Sequence, residues 1–392
     1  MNFPKIAANE FLQRIETFKS RMAEERIDIV AIYSNILDPS AVRYFSDFSG
    51  INESAAMLIP LEGDPILCSG QACHEWSRFK SPVADIRIMP EVGEVSGVEY
   101  DIEGQIDFSD LFREVAEKHT IGKIGIIGDL IFPQSIYGKL QRQFPDAEIV
   151  SAEMLMYEMR IRKSPAEQDC IRKACEIITG ALEYAVPRIE EGVTELDIQA
   201  DIEGQMLRLG AESYCHSFSP MVPSGPEHSH LCMNRNTLRK VKEGEIIPIG
   251  AGACYEGYNS AICTPVVLGT IPAEIKDAIK AAYEGLNLVA SRMKPGATSI
   301  ELYGTYIDYL KRVGYDKYCP YGSVHSLGML ECETPFFSAS KPTVMIEGMT
   351  VAIDAYFKGL PWGSFRIEDT FLIKEGGAEL LTTYNEKYLK GI

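Results

Sequence analysis

The sequence has no apolar run long enough to cross a bilayer, and it has no cluster of basic residues. The chain has 38 lysine and arginine residues and 56 aspartate and glutamate residues, so its formal net charge is −18. A membrane span needs ~20 consecutive apolar residues, and nucleic acid or an anionic membrane surface attracts basic patches. We therefore expect neither a membrane nor nucleic acid as a partner.

Closely spaced cysteine pairs of the CxxC type are also absent, although the chain has ten cysteines. The N-terminus, MNFPKIAANEFLQRIETF, lacks the basic start and apolar block of a signal peptide. Scattered cysteines in such a chain are typical of reduced thiols rather than a disulfide framework. These features predict a cytoplasmic protein.

Two patterns divide the 392 residues. Up to about residue 150, segments with the 3.6-residue period of amphipathic helices alternate with short apolar strands such as IVAIYS and KIGIIGD, which predicts an α/β domain over residues 1–158. Later helices are each followed by β-rich sequence, which predicts an α+β domain over residues 159–392 with helices outside a curved antiparallel sheet. Its first helix is expected to begin with Ser164 as N-cap, Pro165 in the first turn and Glu167 completing the cap.

Several motifs in the chain resemble those of the creatinase, aminopeptidase P and prolidase group, which is the M24 family with the pita-bread fold. They follow the family's order and spacing and are YFSDFSG, MRIRKSPAEQDCIRKA, GEIIPIGAGACYEGYNSAICTPV, KPGATSIEL, VHSLGMLECETP and GMTVAIDAYFKGLPWGSFRIEDTFLIKEGG. The resemblance covers nearly the whole chain. It implies a pita-bread catalytic domain after the α/β domain.

The metal-dependent members of this family bind two divalent cations with two aspartates, one histidine and two glutamates. By motif position these ligands fall here on Gly250, Ala261, His325, Asp354 and Glu368. Glycine and alanine have no side-chain ligand atom, so the resemblance implies a metal-ligand-depleted, creatinase-like member without a cofactor. A single divalent cation held by His325, Asp354 and Glu368 is the alternative.

Creatinases also have alanine at the second aspartate position and a His-Ser-x-Gly motif, which corresponds to His325–Gly328. In them an uncharged histidine acts as general base on water. The matching segment of this chain contains His230, the preferred base, and His228, the second choice. His325 is then expected to orient or polarise the scissile group, while Glu368 and Asp354 bind positive charge.

Acidic residues stand where creatinases bind the carboxylate of creatine with arginines, so we expect a cationic amide or amidine substrate instead. Glu53 falls near the position of the first arginine, and Glu331 and Glu333 follow the His-Ser motif in the region of the second. Together with Asp354 and Glu368 they are expected to form an acidic pocket. The residues expected to contact the substrate are Asp354, Tyr258, Glu333, Cys332, Glu53 and Arg366.

The sequence thus favours a metal-independent, creatinase-like C–N hydrolase that acts on a small cationic molecule. The creatinase relatives imply a homodimer. One alternative is a metal-dependent Xaa-Pro aminopeptidase or dipeptidase, and another is a non-catalytic pita-bread protein that binds a ligand. Covalent catalysis by Cys232, Cys263 or Cys332 is a further alternative mechanism.

Overall fold

A computed structural model describes the chain over residues 3–94, 104–214, 219–231, 233–320 and 324–391. The chain forms two compact units, Ile6–Arg160 and Ile161–Ile392, and the second unit also includes Met1–Lys5. In the described ranges, no helix is both long enough and apolar enough to cross a bilayer.

The first unit contains a six-stranded mixed sheet. Its strands are β1 (Ile29–Ser34), β2 (Ala55–Pro60), β3 (Ile66–Ser69), β4 (Asp85–Ile88), β5 (Lys123–Ile127) and β6 (Glu148–Ser151). Their order is β4-β3-β2-β1-β5-β6. β2 pairs antiparallel with both β1 and β3, whereas β1–β5, β5–β6 and β3–β4 are parallel pairs.

Helices accompany this sheet, as the alternating pattern predicts. They are α1 (Ala8–Glu24), α2 (Ser40–Ser46), α3 (His74–Lys80), α4 (Phe108–Lys118), α5 (Gln134–Gln143) and α6 (Glu153–Ile161), with a 3₁₀ turn at Pro90–Val92. The 3.6-residue period shows in α1, which buries Phe11, Ile15, Phe18 and Met22 along one face. Parallel strands connected through helices confirm the predicted α/β class.

The second unit is built on antiparallel strands. They are β7 (Ser213–Tyr214), β8 (Ile246–Ala251), β9 (Ala253–Tyr255), β10 (Tyr258–Asn259), β11 (Ile262–Val267), β12 (Val324–Ser326), β13 (Glu333–Phe336), β14 (Thr350–Leu360), β15 (Gly363–Lys374) and β16 (Gly377–Leu380). The larger sheet has the order β13-β12-β14-β15-β11-β8, with β16 beside β15, and the smaller sheet has the order β10-β9-β7. A tight turn at Glu256 and Gly257, both with positive φ, joins β9 to β10.

The helices of this unit are α7 (Pro165–Ala185), α8 (Glu195–Arg208), α9 (Gly225–His228), α10 (Ala273–Ala290), α11 (Ser299–Val313) and α12 (Tyr384–Leu389), with 3₁₀ turns at Val186–Arg188 and Asp316–Tyr318. The predicted start of α7 is confirmed: Ser164 and Glu167 form a capping box, and Pro165 opens the helix. Gly285 lets α10 approach α11, because a Cβ atom there would lie 2.9 Å from the ring of Tyr306. Helices packed on an antiparallel sheet confirm the predicted α+β class.

Candidate functional site

The candidate site lies on one face of the larger sheet, where neighbouring strands place their residues in a row. Gly250 on β8 pairs with Cys263 on β11. Cys263 in turn pairs with Glu368 on β15, which pairs with Asp354 on β14. Directly paired residues of an antiparallel sheet point to the same face. His325 on β12 shares this face, because its partner on β14 lies two residues before Asp354.

His325, Glu331 and Glu368 form a compact cluster of possible metal ligands, which we call the His-Glu-Glu cluster. His325 Nε2 lies 3.2 Å from Glu368 Oε1 and 3.5 Å from Glu331 Oε1. One ligand atom from each residue lies within 4.8 Å of the other two. An imidazole and two carboxylates are ligands that divalent transition metals accept in proteins. The donor set therefore fits one divalent cation.

Burial and neighbouring charges both shift the pKa values of the groups in this cluster. Burial raises the pKa of Glu331 to about 7, and the charge of Glu368 adds to the rise. Burial acts in the same direction on Glu368, but the hydrogen bond and charge of His325 leave its pKa below the usual value. Burial alone lowers the pKa of His325, yet hydrogen bonds with Cys332 and Glu368 raise it well above the usual value. Two buried carboxylates this close repel each other, so a cation between them is favourable.

Asp354, which the motif assigns as a metal ligand, lies instead beside a guanidinium group. Arg366 Nε is 3.2 Å from Asp354 Oδ1, and the two side chains are only 16% and 8% exposed. The guanidinium also lies over the ring of Tyr356, 5.1 Å from its centroid. Arg366 therefore gives this part of the site a fixed positive charge.

Neither Gly250 nor Ala261 offers room or atoms for a second cation. A Cβ atom at Gly250 would lie 3.1 Å from Cys263 Sγ and 3.3 Å from Met221 Cε, so a side chain there would press against the thiol and the methionine methyl group. Ala261 is fully buried, and its N–H donates to Thr370 Oγ1 at 3.1 Å. Among the residues that the structure describes, the family's two-cation site does not fit.

The cysteines of this region contact the His-Glu-Glu cluster. Cys263 Sγ donates to Glu368 Oε2 at 3.2 Å, and burial raises the pKa of this thiol well above its usual value. A thiolate nucleophile at Cys263 is therefore unfavourable. Cys332 shares a hydrogen bond with His325, and its role in substrate binding or catalysis stays a prediction. Cys232 lies outside the described residues.

The two histidines predicted as general base lie in the segment that includes α9. His230 Nδ1 is 2.7 Å from Ser364 Oγ, and its carbonyl oxygen accepts a hydrogen bond from Tyr356. His228 Nδ1 is 3.0 Å from Glu195 Oε1, a fully buried carboxylate. In the part of the chain that the structure describes, no hydrogen bond joins either histidine to the His-Glu-Glu cluster. Their assignment as base remains a prediction.

Three other residues predicted to bind substrate have protein partners. Glu333 Oε1 accepts from Lys163 Nζ at 2.9 Å, with both side chains buried. Tyr258 Oη donates to Glu167 Oε1 at 2.7 Å, also in the interior. Glu53 belongs to the first unit, where its carboxylate accepts two backbone N–H groups just before α3. Substrate contacts by these residues stay predictions.

Comparison with protein families gives two matches that follow each other along the chain. Residues 14–162 match the creatinase/prolidase N-terminal domain. Residues 169–375, more than half of the chain, match metallopeptidase family M24. The second match contains the whole His-Glu-Glu cluster.

Individual relatives cover between two thirds and almost all of the chain. The Xaa-Pro dipeptidase of Pyrococcus furiosus is 28% identical over 377 residues, which is 96% of this chain and 99% of the relative. The Xaa-Pro dipeptidase of Pyrococcus horikoshii is 30% identical over 262 residues, covering 67% of this chain and 73% of the relative. The solved prolidase structure from P. horikoshii superimposes with a TM-score of 0.80 at 25% identity, over 94% of this chain and 98% of that one. The pita-bread fold is thereby confirmed.

These relatives correct two predictions. The metal-independent, creatinase-like C–N hydrolase is wrong as the leading function, because the matching relatives are named Xaa-Pro dipeptidase and the matching family is a metallopeptidase family. The expectation of no cofactor is wrong for the same reason, and the His-Glu-Glu cluster offers ligands for a cation. The sequence argument gave the absence of ligands at Gly250 and Ala261 too much weight and kept a single cation only as the alternative.

The sequence argument did not identify Glu331 as a possible metal ligand. It was grouped with other acidic residues as part of a general acidic pocket, and the single-cation alternative used Asp354 in its place. Glu331 follows β12 in an irregular segment, so no helix or strand period connects it to His325. Its signal in the sequence is an acidic residue six positions after the motif histidine.

Proposed function

This chain belongs to metallopeptidase family M24 and is a hydrolase of that family, and from this premise we propose that it is a metal-dependent peptidase for small peptides with an Xaa-Pro bond. The two relatives named Xaa-Pro dipeptidase, which match 96% and 67% of the chain, support this substrate class. The observation that carries the proposal is the His-Glu-Glu cluster, with three ligand atoms within 4.8 Å of one another.

The charges around the cluster favour one cation rather than two. Glu331, Glu368 and Asp354 bring three negative charges when ionised, and Arg366 brings one positive charge. The net charge of these four groups is −2, which one divalent cation neutralises. A second divalent cation a few ångströms away would lack carboxylates to offset the repulsion between the two ions.

A divalent cation in the cluster supplies Lewis acidity toward a scissile carbonyl group. The protein's own contribution is to fix the ligands. The Cys263 thiol donates to the second oxygen of Glu368, which holds that carboxylate with its other oxygen toward His325. Ser326, next to His325, is anchored to the backbone of Pro335 by a hydrogen bond of 2.8 Å. Such partners keep the ligands in place before a cation binds.

The proposal is tested by metal analysis together with a matched pair of substrates. Protein stripped with a chelator is incubated with Mn²⁺, Zn²⁺, Fe²⁺ or Co²⁺, and bound metal is measured by mass spectrometry after gel filtration. We expect about one ion per chain and cleavage of Ala-Pro in preference to Ala-Ala. Glu331→Gln and Glu368→Gln should each lower metal affinity by about tenfold or more, because each removes a charged ligand.

Glu347→Gln is the matched control, since this carboxylate is exposed and lies outside the cluster. Its metal content and peptidase activity should equal those of the wild type. A protein that binds none of the four metals, or that cleaves no Xaa-Pro peptide when loaded, would reject the proposed function.

We also propose that the protein is a cytoplasmic homodimer. The first unit exposes an apolar patch consisting of Trp76 and Phe79, which are 41% and 79% exposed. The rings of Trp76 and Phe79 stack at 5.6 Å, so they present one continuous surface. An exposed patch of large apolar side chains is typical of a protein–protein interface.

The oligomeric state can be measured by analytical ultracentrifugation. Phe79→Glu should convert a dimer into a monomer, because it places a charge in the patch. Leu130→Glu is the control, as Leu130 is a fully exposed apolar residue in a different loop of the same unit. A wild-type protein that sediments as a monomer at micromolar concentration would contradict the dimer.

A further inference from the structure

The metal ligand Glu368 lies where two neighbouring strands of the larger sheet are paired only briefly. β15 pairs with β14 through nine residue pairs, and β11 pairs with β8 through six. In the described part of the chain, β11 and β15 share a single register pair, Cys263 with Glu368. We call this place the β11–β15 seam. Strand pairing fixes Glu368 relative to His325, whereas other contacts must set its distance from Cys263.

Side chains supply hydrogen bonds across the β11–β15 seam. Thr370 Oγ1 donates to the carbonyl of Ala261 at 2.8 Å and accepts from the N–H of the same residue at 3.1 Å. One hydroxyl can do both, because it has one hydrogen and two lone pairs. Buried backbone groups need such partners, so the hydroxyl of Thr370 takes the place of a neighbouring strand for Ala261.

Asn385, on α12, bridges the two residues of the register pair. Its Nδ2 donates to the carbonyl of Cys263 at 2.9 Å and to the carbonyl of Glu368 at 3.0 Å. These bonds use both hydrogens of the amide, and Asp369 Oδ2 lies farther away, at 3.2 Å. Cys263, Glu368 and Asn385 are 2%, 1% and 0% exposed, so bulk water does not reach the two carbonyls.

The other end of the same amide indicates that Asn385 acts as a donor. Among the residues that the structure describes, Asn385 Oδ1 is buried without a hydrogen-bond partner. An unsatisfied buried acceptor costs free energy, so the side chain contributes through the hydrogen bonds that Nδ2 donates. Leu389, one turn later on the same face of α12, packs in the hydrophobic core and holds the helix in place.

The carboxylate of Glu368 depends on the width of the β11–β15 seam. Its Oε1 lies 3.2 Å from His325 Nε2, and its Oε2 accepts from Cys263 Sγ at 3.2 Å. The first contact joins strands that are connected by regular pairing through β14, whereas the second crosses the seam. A wider seam would take the thiol out of hydrogen-bond distance. The carboxylate could then rotate about its terminal bond, which has a broad torsional minimum.

We propose that Asn385 is a positioning residue for the metal ligand Glu368. By holding the backbone of Cys263 and Glu368 together, it keeps the thiol on Glu368 Oε2 and so directs Oε1 of the same carboxylate toward the cation. The inference rests on the proposed function, because it concerns a ligand of the cation proposed there. Removing a partner that orients a metal ligand typically lowers metal affinity or activity ~10–100-fold.

Metal affinity gives the first test. Asn385→Leu is similar in size and removes both donors, so it should weaken binding of Mn²⁺ or Zn²⁺ to chelator-stripped protein about tenfold or more in titration calorimetry. Asn385→Gln keeps the amide and should retain part of the affinity. Asn236→Leu is the matched control and should bind metal as the wild type does, because the Asn236 amide also donates twice, to Gln199 Oε1 and Pro220 O at 2.7 Å, and neither partner belongs to the seam. Circular dichroism checks folding, and Asn385→Ser, which keeps one donor at most, replaces Asn385→Leu if the latter does not fold.

A second test separates positioning from a general loss of stability. Because Asn385 is proposed to act through the Cys263 thiol, Asn385→Leu should weaken metal binding by less than about twofold when residue 263 is already alanine. Infrared spectra of metal-free protein, with and without Cys263→Ala, isolate the S–H stretch of this thiol. The stretch should move to higher wavenumber in Asn385→Leu, because the strong hydrogen bond to a carboxylate is lost.

Unchanged metal affinity in Asn385→Leu would overturn the proposal, and so would an equal loss of affinity with and without the Cys263 thiol. An S–H stretch that does not shift would overturn it without any metal measurement. These results differ from a failure of the proposed function. A wild type that binds no metal, or that cleaves no Xaa-Pro peptide when loaded, rejects that function, while the infrared result still decides whether Asn385 keeps the thiol on Glu368.

Discussion

The buried pair of Lys163 and Glu333 gives the sharpest prediction about stability. Lys163 Nζ lies 2.9 Å from Glu333 Oε1, and the side chains are 2% and 1% exposed. Lys163 directly precedes the N-cap of α7, and its N–H donates to the carbonyl of Gly348. Glu333 begins β13 and lies against Gly328, where a Cβ atom would collide with its carboxylate. The pair thus ties the start of α7 to the segment that carries Glu331.

Lys163→Met should cost about 3–5 kcal/mol of unfolding free energy, because the buried carboxylate of Glu333 loses its ion pair with Lys163. The double variant Lys163→Met/Glu333→Leu should recover most of this loss, since apolar residues of similar volume replace a buried pair at little cost. The exposed pair of Lys387 and Glu183, 65% and 47% exposed, is the control. Lys387→Met should cost less than about 1 kcal/mol.

The assay must report on the second unit alone, because a chain with two compact units need not unfold in one step. The chain has two tryptophans. Trp76→Phe leaves Trp362, which stacks on Phe365 at 5.8 Å, as the fluorescent reporter. Urea unfolding in this background then gives the free energies for the single and double variants. A double variant as unstable as Lys163→Met would refute the charge argument. A loss of less than about 1 kcal/mol of unfolding free energy in Lys163→Met would also refute it.

Three further outcomes are expected. A hydrogen bond from Arg172 lowers the pKa of Glu379 to about 2, so this carboxylate stabilises the fold fully above its ordinary pKa and loses the effect as pH falls toward 2. In Glu379→Gln the urea concentration at the unfolding midpoint should therefore fall less steeply as the pH is lowered. The same steepness as in the wild type would contradict this. Tyr258→Phe removes the hydroxyl that donates to buried Glu167, so it should cost about 1–3 kcal/mol of unfolding free energy and leave KM unchanged. A raised KM with unchanged stability would instead favour a contact between Tyr258 and the substrate. Gly250→Asp should leave the metal content at one ion per chain in mass spectrometry, since the Cys263 thiol and the Met221 methyl group crowd that position. A content of two ions per chain would show that the second site can be restored.

Much of the site could be predicted from the sequence because its motifs lie on strands. His325, Asp354 and Glu368 occupy β12, β14 and β15, and the pairing of these strands brings them to one face. A motif on a strand fixes which face a side chain points to, since the period is two residues. The fold class was predictable for a similar reason, because helices and strands each have a regular period of apolar residues.

The partners of these residues could not be predicted in the same way. Asp354 pairs diagonally with Arg366, an arrangement that depends on the register of β14 against β15. Glu331 reaches His325 from a segment without regular structure, where sequence distance does not determine position. The pairing of Lys163 with Glu333 joins residues 170 positions apart. Such contacts are tertiary, and no local pattern encodes them.

Gly250 and Ala261, where the resemblance places two metal ligands, have no side-chain atom that could bind a cation. An aspartate at 250 would direct its carboxylate toward Cys263 Sγ and Met221 Cε, which lie 3.1 Å and 3.3 Å from the position of a Cβ atom there. A carboxylate placed against a thiol and a methyl group loses its hydration without gaining a cationic partner. The His-Glu-Glu cluster, in contrast, keeps an imidazole and two carboxylates with ligand atoms within 4.8 Å of one another. The site therefore keeps the ligands that a single cation needs, while it lacks the carboxylates that would offset the charge of a second one.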